Sequence, residues 1–152
     1  MPSAELVGIA TNSNHRLSFH KKGRDNSSKC NMFSSETGSD LIYGAIYQLK
    51  REHKNQLDEI EGKGFGYLES QITLSYDESE YSCFTYLAQQ SHVVDDLKPY
   101  HWYKKLVILG AQYLEFPNSY ISYIEAVESV EDLDPTRRIE NETLIENIIY
   151  SR

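Results

Sequence analysis

The sequence predicts an α+β fold built on a mostly antiparallel β-sheet or barrel. Strand-like segments come first along the chain, and helical periodicity dominates only after Pro99. Strands followed by helices are typical of α+β proteins, whereas regular alternation of the two favours a parallel sheet. A length of 152 residues suits one domain with its own core, so residues 1–152 are expected to form a single domain.

The first part of the chain is predicted to form short strands around a polar loop. The predicted strands run from Glu5 to Ala10, from His15 to His20 and from Cys30 to Phe33. The loop from Lys21 to Lys29, KKGRDNSSK, is rich in Gly, Asp, Asn and Ser. We therefore expect this loop to be exposed and mobile.

The next segment, LIYGAIYQL from Leu41 to Leu49, is almost continuously apolar and contains β-branched and aromatic residues. This composition favours a buried strand. Gly44 lies inside the run, and a glycine within a strand often marks the close approach of another group to the backbone. We expect such an approach at Gly44.

The segment REHKNQLDEIE predicts a short helix that ends at Glu61. One face of this helix carries four residues at helical spacing, namely His53, Leu57, Ile60 and Glu61. Gly62 is suited to ending the helix in a left-handed conformation. Glu61 is therefore expected beside the apolar stripe, facing inward.

A β-hairpin is predicted after the helix. The segment from Tyr67 to Tyr76 alternates between apolar and polar residues, the letters DES indicate a turn, and Tyr81 to Ala88 form the return strand. Alternation of this kind is typical of a half-buried antiparallel strand.

The last third of the chain predicts three helices. The first covers YHWYKKLVILGAQYLEF and is broken at Pro117, and the second covers NSYISYIEAVESV, with Asn118 or Ser119 as its cap. The third runs from Arg137 to Tyr150. The acidic run EAVESVED is interpreted as a solvated helix end.

Composition excludes several classes of function. A formal net charge of −8 argues against a nucleic-acid partner and against an anionic membrane surface. No apolar run is long enough for a membrane span, so a cytoplasmic location is the default expectation. Cys30 and Cys83 belong to no metal-binding motif and are expected to be buried or idle thiols. We expect a small-molecule or protein partner, and no metal or cofactor.

Glu61 is the candidate catalytic residue. A solvated helix face explains Asp58 and Glu59, but Glu61 is expected to face inward at the helix end. Partial burial and the negative end of the helix dipole both disfavour its charged form. The pKa of Glu61 is therefore expected to rise toward the range in which a carboxyl group accepts and donates a proton near neutral pH.

Two other interpretations apply to this region. An acidic helix end followed by glycine is common as a solvated C-cap without any catalytic role. The glycines at 62, 64 and 66 permit close backbone approach to a ligand, but GKGFG follows a helix and precedes a strand. Because this order is the reverse of the dinucleotide-binding arrangement, a nucleotide site is rejected.

The chain resembles the gamma-glutamylcyclotransferase family. The resemblance lies in LIYGAIYQL, QLDEIEG, SCFTYLA and HWYKKLVILGAQYLEFPNSYISYIEAVES, in this order and at similar spacing, from Leu6 to Glu128. It implies a small mixed, mostly antiparallel β-barrel with flanking helices. It also implies an enzyme that cyclises the gamma-glutamyl group of a dipeptide or amine to 5-oxoproline and releases the amino acid or amine.

The resemblance also implies roles for individual residues. The glutamate immediately before the glycine of QLDEIEG is the catalytic one, which is Glu61 and not Glu59. Tyr86 matches a tyrosine that contacts substrate, and its hydroxyl is expected to bond either the substrate or Glu61, although a core tyrosine explains it equally well. Tyr67 is a further candidate for substrate binding. No metal or cofactor is implied.

One element of the family is missing from this sequence. The family's first strand, followed by Tyr-Gly-Ser-Asn, precedes the point at which MPSAELVGIAT begins, so the chain either starts late or is a natural short form. Lys29 is then a candidate for replacing part of the lost anion contact, with a solvated loop lysine as the alternative. A short form exposes an unpaired strand edge, so it is expected either to pair with a second copy as a homodimer or to be inactive.

Three functions therefore remain open from sequence. The first is a gamma-glutamylcyclotransferase-like enzyme with Glu61 as general acid and base. The second is a catalytically inactive relative that binds a small ligand or acts as a dimeric scaffold. The third is a lyase on the same fold that acts on the gamma-glutamyl adduct of a specialised amine, because fold does not determine substrate.

Overall fold

The structure, a computed structural model, describes residues 4–35 and 38–151, and this part of the chain contains six strands and four α-helices. The strands are β1 (Glu5–Ser13), β2 (His15–Lys22), β3 (Ser28–Ser34), β4 (Leu41–Gln48), β5 (Tyr67–Tyr76) and β6 (Ser79–Ala88). The helices are α1 (Lys54–Glu61), α2 (His101–Tyr113), α3 (Asn118–Glu125) and α4 (Pro135–Tyr150). The predicted α+β class, with strands before helices, is confirmed.

The chain divides into two compact units. The first contains Met1–Lys22 and Cys30–Val94, and the second contains Gly23–Lys29 and Asp95–Arg152. The single domain expected for residues 1–152 stays a prediction. The expected homodimer also stays a prediction.

One of the three strand pairings, that of β1 with β4, joins segments that are distant in sequence. β1 pairs with β4 in antiparallel register, with Ala10 opposite Gly44, and β2 pairs with β3. β5 pairs with β6 in the predicted hairpin. Its turn consists of Asp77 and Glu78, both with positive φ (48° and 59°), as the tightest hairpin turns require.

The predicted end of α1 is confirmed. Glu61 is the last helical residue, and Gly62 follows in the left-handed conformation (φ 67°, ψ 42°). A single 3₁₀ turn, Arg51–His53, precedes the helix. The prediction that Ile60 belongs to the inward-facing apolar stripe of α1 is wrong, because Ile60 is 66% exposed.

Two other expectations for the first unit need correction. The segment Lys21–Lys29 is not a uniformly exposed loop, since its ends belong to β2 and β3 and its residues Ser27 and Ser28 are fully buried. β4 is not a buried strand, because several of its residues are exposed, and a Cβ on Gly44 would meet no atom within 4 Å. The close approach that was expected at Gly44 is absent from the described residues.

The second unit packs helices around a small core. α2 contacts both α3 and α4. The buried apolar residues of this core are Ile108, Leu109 and Ala111 on α2, Ile124 on α3 and Ile145 on α4. The predicted cap of α3 by Asn118 or Ser119 is wrong: Pro117 occupies the N-cap position and no side chain caps the helix.

The acidic run EAVESVED ends in a buried residue, Asp132, and not in solvent. Asp132 is 1% exposed and accepts hydrogen bonds from the guanidinium group of Arg137 at 2.7 and 2.6 Å and from the indole of Trp102 at 2.9 Å. The side chain of Asp134 accepts hydrogen bonds from two amides in the first turn of α4 and caps this helix. The run therefore anchors the start of α4.

Candidate active site

The first unit contains a cavity of about 830 Å³. β4 and β6 contribute most of its wall, with further residues from β1, β5 and α1. Its apolar lining residues include Ala10, Ile42, Ile46, Ile72 and Leu74, and its polar lining residues include Asn12 and Thr85. A largely apolar hollow with a few polar groups is typical of a small-molecule site.

Glu61 lies in the wall of this cavity at the end of α1. Leu57, one turn earlier on the helix, lines the same cavity, so this face of α1 points inward as predicted. Among the described residues of the lining, Glu61 is the one with a charged side chain. The helix end therefore brings a single carboxylate to a mostly apolar surface.

Burial raises the pKa of Glu61 above its ordinary value, and the positive charge of Lys21 opposes that rise. The direction agrees with the prediction. Its cause is desolvation, which disfavours the charged form of a carboxyl group. A carboxyl group with a raised pKa is better suited to exchanging protons near neutral pH.

Lys21 on β2 and Tyr67 on β5 are the residues whose charges or dipoles interact with Glu61. The Lys21 ammonium group lies 4.4 Å from the centre of the Tyr67 ring. The Tyr67 hydroxyl donates a hydrogen bond to the backbone carbonyl of Cys30 at 2.7 Å. Burial and the nearby charge of Glu61 both raise the pKa of this hydroxyl, so it stays protonated.

Gly66 makes room for the Lys21 side chain. Its φ of 112° strongly favours glycine, and a Cβ there would lie 3.2 Å from Nζ of Lys21 and 3.3 Å from a ring carbon of His92. The amide of Gly66 donates to the side-chain carbonyl of Gln89 at 2.8 Å. Gly66 thus permits a close approach, whereas Gly64 has no atom within 4 Å of its Cβ position, and the group that approaches Gly66 is a lysine of the same chain.

A network of charged side chains connects α1 to the β5–β6 hairpin. Asp58 accepts hydrogen bonds from the ammonium groups of Lys54 and Lys63. Glu69 accepts hydrogen bonds from the same two lysines, at 2.8 Å from Lys54 and at 2.5 Å from Lys63. Hydrogen bonds from Lys54 and from Tyr86 lower the pKa of Asp58 to about 2. The expectation that Asp58 lies on a solvated face is therefore wrong.

Tyr86 lines the cavity, but its hydroxyl bonds to Asp58 and not to Glu61. The hydroxyl donates to Oδ1 of Asp58 at 2.5 Å and accepts a long hydrogen bond of 3.4 Å from Lys54. A hydrogen bond from Tyr86 to Glu61 was one of the expected alternatives, and it is not formed among the described residues. Contact with a substrate stays a prediction.

Lys29 lies in β3 and belongs to the second unit. Its ammonium group bonds to Asp25 at 2.7 Å and to Ser27 at 2.8 Å, and it lies within 6 Å of three ring centres, those of Tyr100, Trp102 and Tyr103. Only 18% of its side chain is exposed, so the alternative of a solvated loop lysine is wrong. A role for Lys29 in anion binding stays a prediction.

Sequence reasoning missed Lys21 and the structural role of Asp58. Composition places Lys21 in a polar loop, although its position at the end of an alternating strand-like segment is a signal for burial on one face. For Asp58, Lys54 precedes it by four residues, a spacing typical of an ion pair on a helix.

Two classes of feature are absent from the described residues. Within residues 4–35 and 38–151, no group of three or more His, Cys, Asp or Glu side chains is arranged to hold a metal ion. No helix in this part of the chain combines the length and apolar character that crossing a membrane requires.

Comparison with known proteins supports the resemblance seen in the sequence. The AIG2-like family matches residues 41–124, a range that contains α1 and both strands of the hairpin. Because this range is more than half of the chain, the chain belongs to the AIG2-like family. The gamma-glutamylcyclotransferase of Homo sapiens is 26% identical to it, over 97% of this chain and 77% of the human protein.

Solved structures show the same fold. A gamma-glutamyl cyclotransferase superposes with a TM-score of 0.80 at 24% identity, over 96% of this chain and 87% of the other. An uncharacterized protein from Homo sapiens gives a TM-score of 0.76 at 23% identity, over 95% and 86% of the two chains. The gamma-glutamylcyclotransferase-like fold predicted from the sequence is confirmed.

Proposed function

We propose that this chain cyclises the gamma-glutamyl group of a gamma-glutamyl amino acid, peptide or amine to 5-oxoproline, with Glu61 as general acid and base. The observation that carries the proposal is the position of Glu61: it is half-buried, it lines a cavity of about 830 Å³, and burial raises its pKa. Membership in the AIG2-like family and the human relative named gamma-glutamylcyclotransferase support the reaction class.

The reaction needs one group that moves a proton twice. The substrate's α-amine attacks its own γ-carbonyl carbon, which forms the ring C–N bond, and the bond to the leaving nitrogen then breaks. The Glu61 carboxylate takes a proton from the α-ammonium group, so that the free amine can attack, and delivers it to the leaving nitrogen. The ring nitrogen loses one further proton as the amide forms, and the released amine takes up that proton. Both partners of the attack lie in one molecule, so the protein's task is to fold the substrate so that the amine lies close to the carbonyl.

The surroundings of Glu61 suit this task. The volume of the cavity lies within the range of about 300–1,000 Å³ that is common for small-molecule sites. An apolar wall excludes water, and this strengthens hydrogen bonds between the carboxylate and the reacting nitrogens. Tyr86, if it contacts the substrate, is better placed to accept a hydrogen bond than to donate one, because its proton is engaged by Asp58.

The test is production of 5-oxoproline from a panel of gamma-glutamyl amino acids, peptides and amines. Glu61→Gln keeps the shape of the side chain and removes its proton exchange, so it is expected to lower kcat by at least about 10²-fold. Glu59→Gln, two residues earlier and exposed on the same helix, is the matched control and is expected to retain activity. Equal activity of both variants would remove Glu61 from the mechanism. No product from any member of the panel, together with binding of a gamma-glutamyl compound by calorimetry, would favour the inactive binding protein.

A further inference from the structure

We propose that Lys63 is a positioning residue for Glu61: its backbone amide and its side chain tie the end of α1 to β5 and so fix where Glu61 enters the cavity wall. The catalytic consequence of this role rests on the proposed function. The tie itself does not, and it can be measured separately.

The backbone of Lys63 closes the helix end on which Glu61 lies. The amide of Lys63 donates a hydrogen bond of 2.8 Å to the backbone carbonyl of Asp58. The amide of Gly62 donates one of 3.1 Å to the carbonyl of Glu59. These bonds, with Gly62 in the left-handed conformation, satisfy carbonyls in the last turn of the helix. Asp58 and Lys63 are therefore joined across Glu61, which lies between them in the chain.

The side chain of Lys63 repeats this connection and extends it to β5. Its Nζ atom donates hydrogen bonds to Oδ2 of Asp58 at 3.2 Å and to Oε2 of Glu69 at 2.5 Å. In the hairpin Glu69 lies opposite Tyr86, and the Tyr86 hydroxyl bonds to the other carboxylate oxygen of Asp58. The contacts thus form a closed circuit through the helix end and both strands of the hairpin.

Lys54 belongs to the same network but acts at the other end of α1. Its ammonium group bonds to Asp58 and Glu69. Lys54 is the first residue of the helix, whereas Lys63 lies just beyond its last residue. A helix of eight residues depends on tertiary contacts for its stability, and helix ends fray first. Lys63 therefore restrains the turn that carries Glu61.

A restraint on the backbone of Glu61 matters because proton transfer depends on position. Displacement of a catalytic group by about 1 Å costs about 10²-fold in rate. Lys63 itself does not line the cavity, so it is not expected to touch the substrate. Loss of the tie is therefore expected to lower kcat and to leave KM nearly unchanged.

The tie is expected to act locally. The Lys63 side chain is 40% exposed, and exposed ion pairs contribute little to the stability of a whole domain. Removing the ammonium group leaves the contacts of Lys54 and Tyr86 with Asp58 in place. The helix end is therefore expected to loosen without a comparable change in the unfolding transition, which distinguishes positioning from a general structural role.

The experiment compares Lys63→Met with Lys63→Arg and with Lys22→Met, an exposed lysine of β2. Formation of 5-oxoproline gives kcat and KM for each variant, under conditions in which urea unfolding shows that the variant is folded. Lys63→Met is expected to lower kcat by about 10-fold and to change KM by less than about 2-fold. Lys63→Arg keeps the charge and the donors, so it is expected to recover most of the wild-type kcat. Lys22→Met is expected to keep all of it.

Amide hydrogen exchange is a second readout, and it does not need activity. The amides of residues 62 and 63 report directly on the closed helix end, because their acceptors are carbonyls of α1. In Lys63→Met their exchange is expected to become faster by about 10-fold or more, as local opening predicts. Exchange in the middle of β5 and β6 is expected to stay as in the wild type.

The outcomes separate the two proposals. Faster exchange at the helix end, without any 5-oxoproline from the wild type, would overturn the proposed function and leave Lys63 as the residue that holds the end of α1. Product formation with an unchanged kcat in Lys63→Met, or with a rise of KM alone, would overturn the positioning role and leave the proposed function in place. Unchanged exchange at residues 62 and 63, or an equal loss of kcat in Lys63→Arg, would also overturn that role.

Discussion

The hydroxyl of Tyr86 donates a hydrogen bond to Oδ1 of Asp58 at 2.5 Å. Tyr86 lines the cavity from β6, and Asp58 lies on the same helix as Glu61. The bond therefore joins the helix that carries the candidate catalytic carboxylate to a strand of the cavity wall. Two predictions follow from this contact, one for each partner.

Replacing Asp58 with Asn is expected to remove a contribution to the free energy of unfolding that depends on pH in the acidic range. The pKa of Asp58 is lowered to about 2 by hydrogen bonds from Lys54 and Tyr86, whereas an unfolded aspartate titrates near about 4. Because the folded pKa is the lower one, the stabilisation is fully present above about pH 4 and is lost as the pH falls through about 2. Asp58→Asn is therefore expected to unfold more easily than the wild type at neutral pH, with a difference that shrinks toward pH 2.

Urea unfolding from about pH 2 to pH 7 measures this difference. Glu59→Gln is the control, because Glu59 is exposed on the same helix. A stability difference between Asp58→Asn and the wild type that stays constant over the whole pH range would contradict the assignment of the lowered pKa to this contact.

Replacing Tyr86 with Phe is expected to loosen α1 without removing the ring from the cavity wall. The lost hydrogen bond is made to an ionised carboxylate and corresponds to about 1.5–3 kcal/mol of unfolding free energy. Amide hydrogen exchange in α1 is expected to become faster, because the helix loses one of its connections to β6. Tyr81→Phe, on the same strand and also in the cavity wall, is the matched control. Faster exchange in β6 alone, with α1 unchanged, would show that the bond does not restrain the helix.

The end of α1 illustrates what the sequence predicts well. Gly62 after Glu61 is a local signal, since a left-handed residue at a helix end depends on the residue type itself. The face of the helix is harder to predict, because the stripe fits both Ile60 and Leu57 by spacing. Only the three-dimensional surroundings decide that Leu57 faces the cavity and that Ile60 is exposed.

The partners of Glu61 illustrate what the sequence leaves open. Lys21 lies on β2 and Glu61 lies at the end of α1, and no spacing rule connects residues on these two elements. Asp58 has one partner on its own helix, Lys54, but Lys63 and Tyr86 lie beyond the helix, where periodicity within the helix carries no information. Charges gathered from separate elements become visible only once the strands are paired.

Adding a side chain at Gly44 is expected to fill the cavity without disturbing the fold. Gly44 lies in the cavity wall, and a Cβ there would meet no atom within 4 Å. Gly44→Leu is therefore expected to leave the free energy of unfolding nearly unchanged while it weakens the binding of gamma-glutamyl compounds, measured as KM or by calorimetry.

Gly8, on the strand β1 that pairs with β4, serves as the comparison for Gly44. A Cβ on Gly8 would lie 2.3 Å from the Tyr76 ring, so Gly8→Ala is expected to displace that ring and to cost about 1–3 kcal/mol of stability. If Gly44→Leu binds substrate as well as the wild type does, this part of the cavity lies outside the binding site.

The buried carboxylate of Asp132 supports the last prediction, which concerns the second unit. Its two oxygens accept from Arg137 and Trp102, and its pKa is held far below the ordinary value mainly by the hydrogen bonds from Arg137. Asp132→Asn keeps the shape of the side chain but leaves the guanidinium group without this countercharge. Arg137 keeps Asp134 at 3.5 Å and a third of its side chain is exposed, so the expected loss of stability is about 1–3 kcal/mol, the range for a buried polar group that loses a partner.

Trp102 is the single tryptophan of the chain, and its indole N–H donates to Asp132, so its fluorescence reports directly on this contact. The unfolding transition followed at Trp102 is expected to move to lower denaturant concentration in Asp132→Asn. Glu131→Gln is the control, because Glu131 is exposed and bonds to Arg138 at the surface. Equal transitions in the two variants would mean that Asp132 is compensated by other contacts. In that case the buried pair orients the start of α4 without contributing to the stability of the unit.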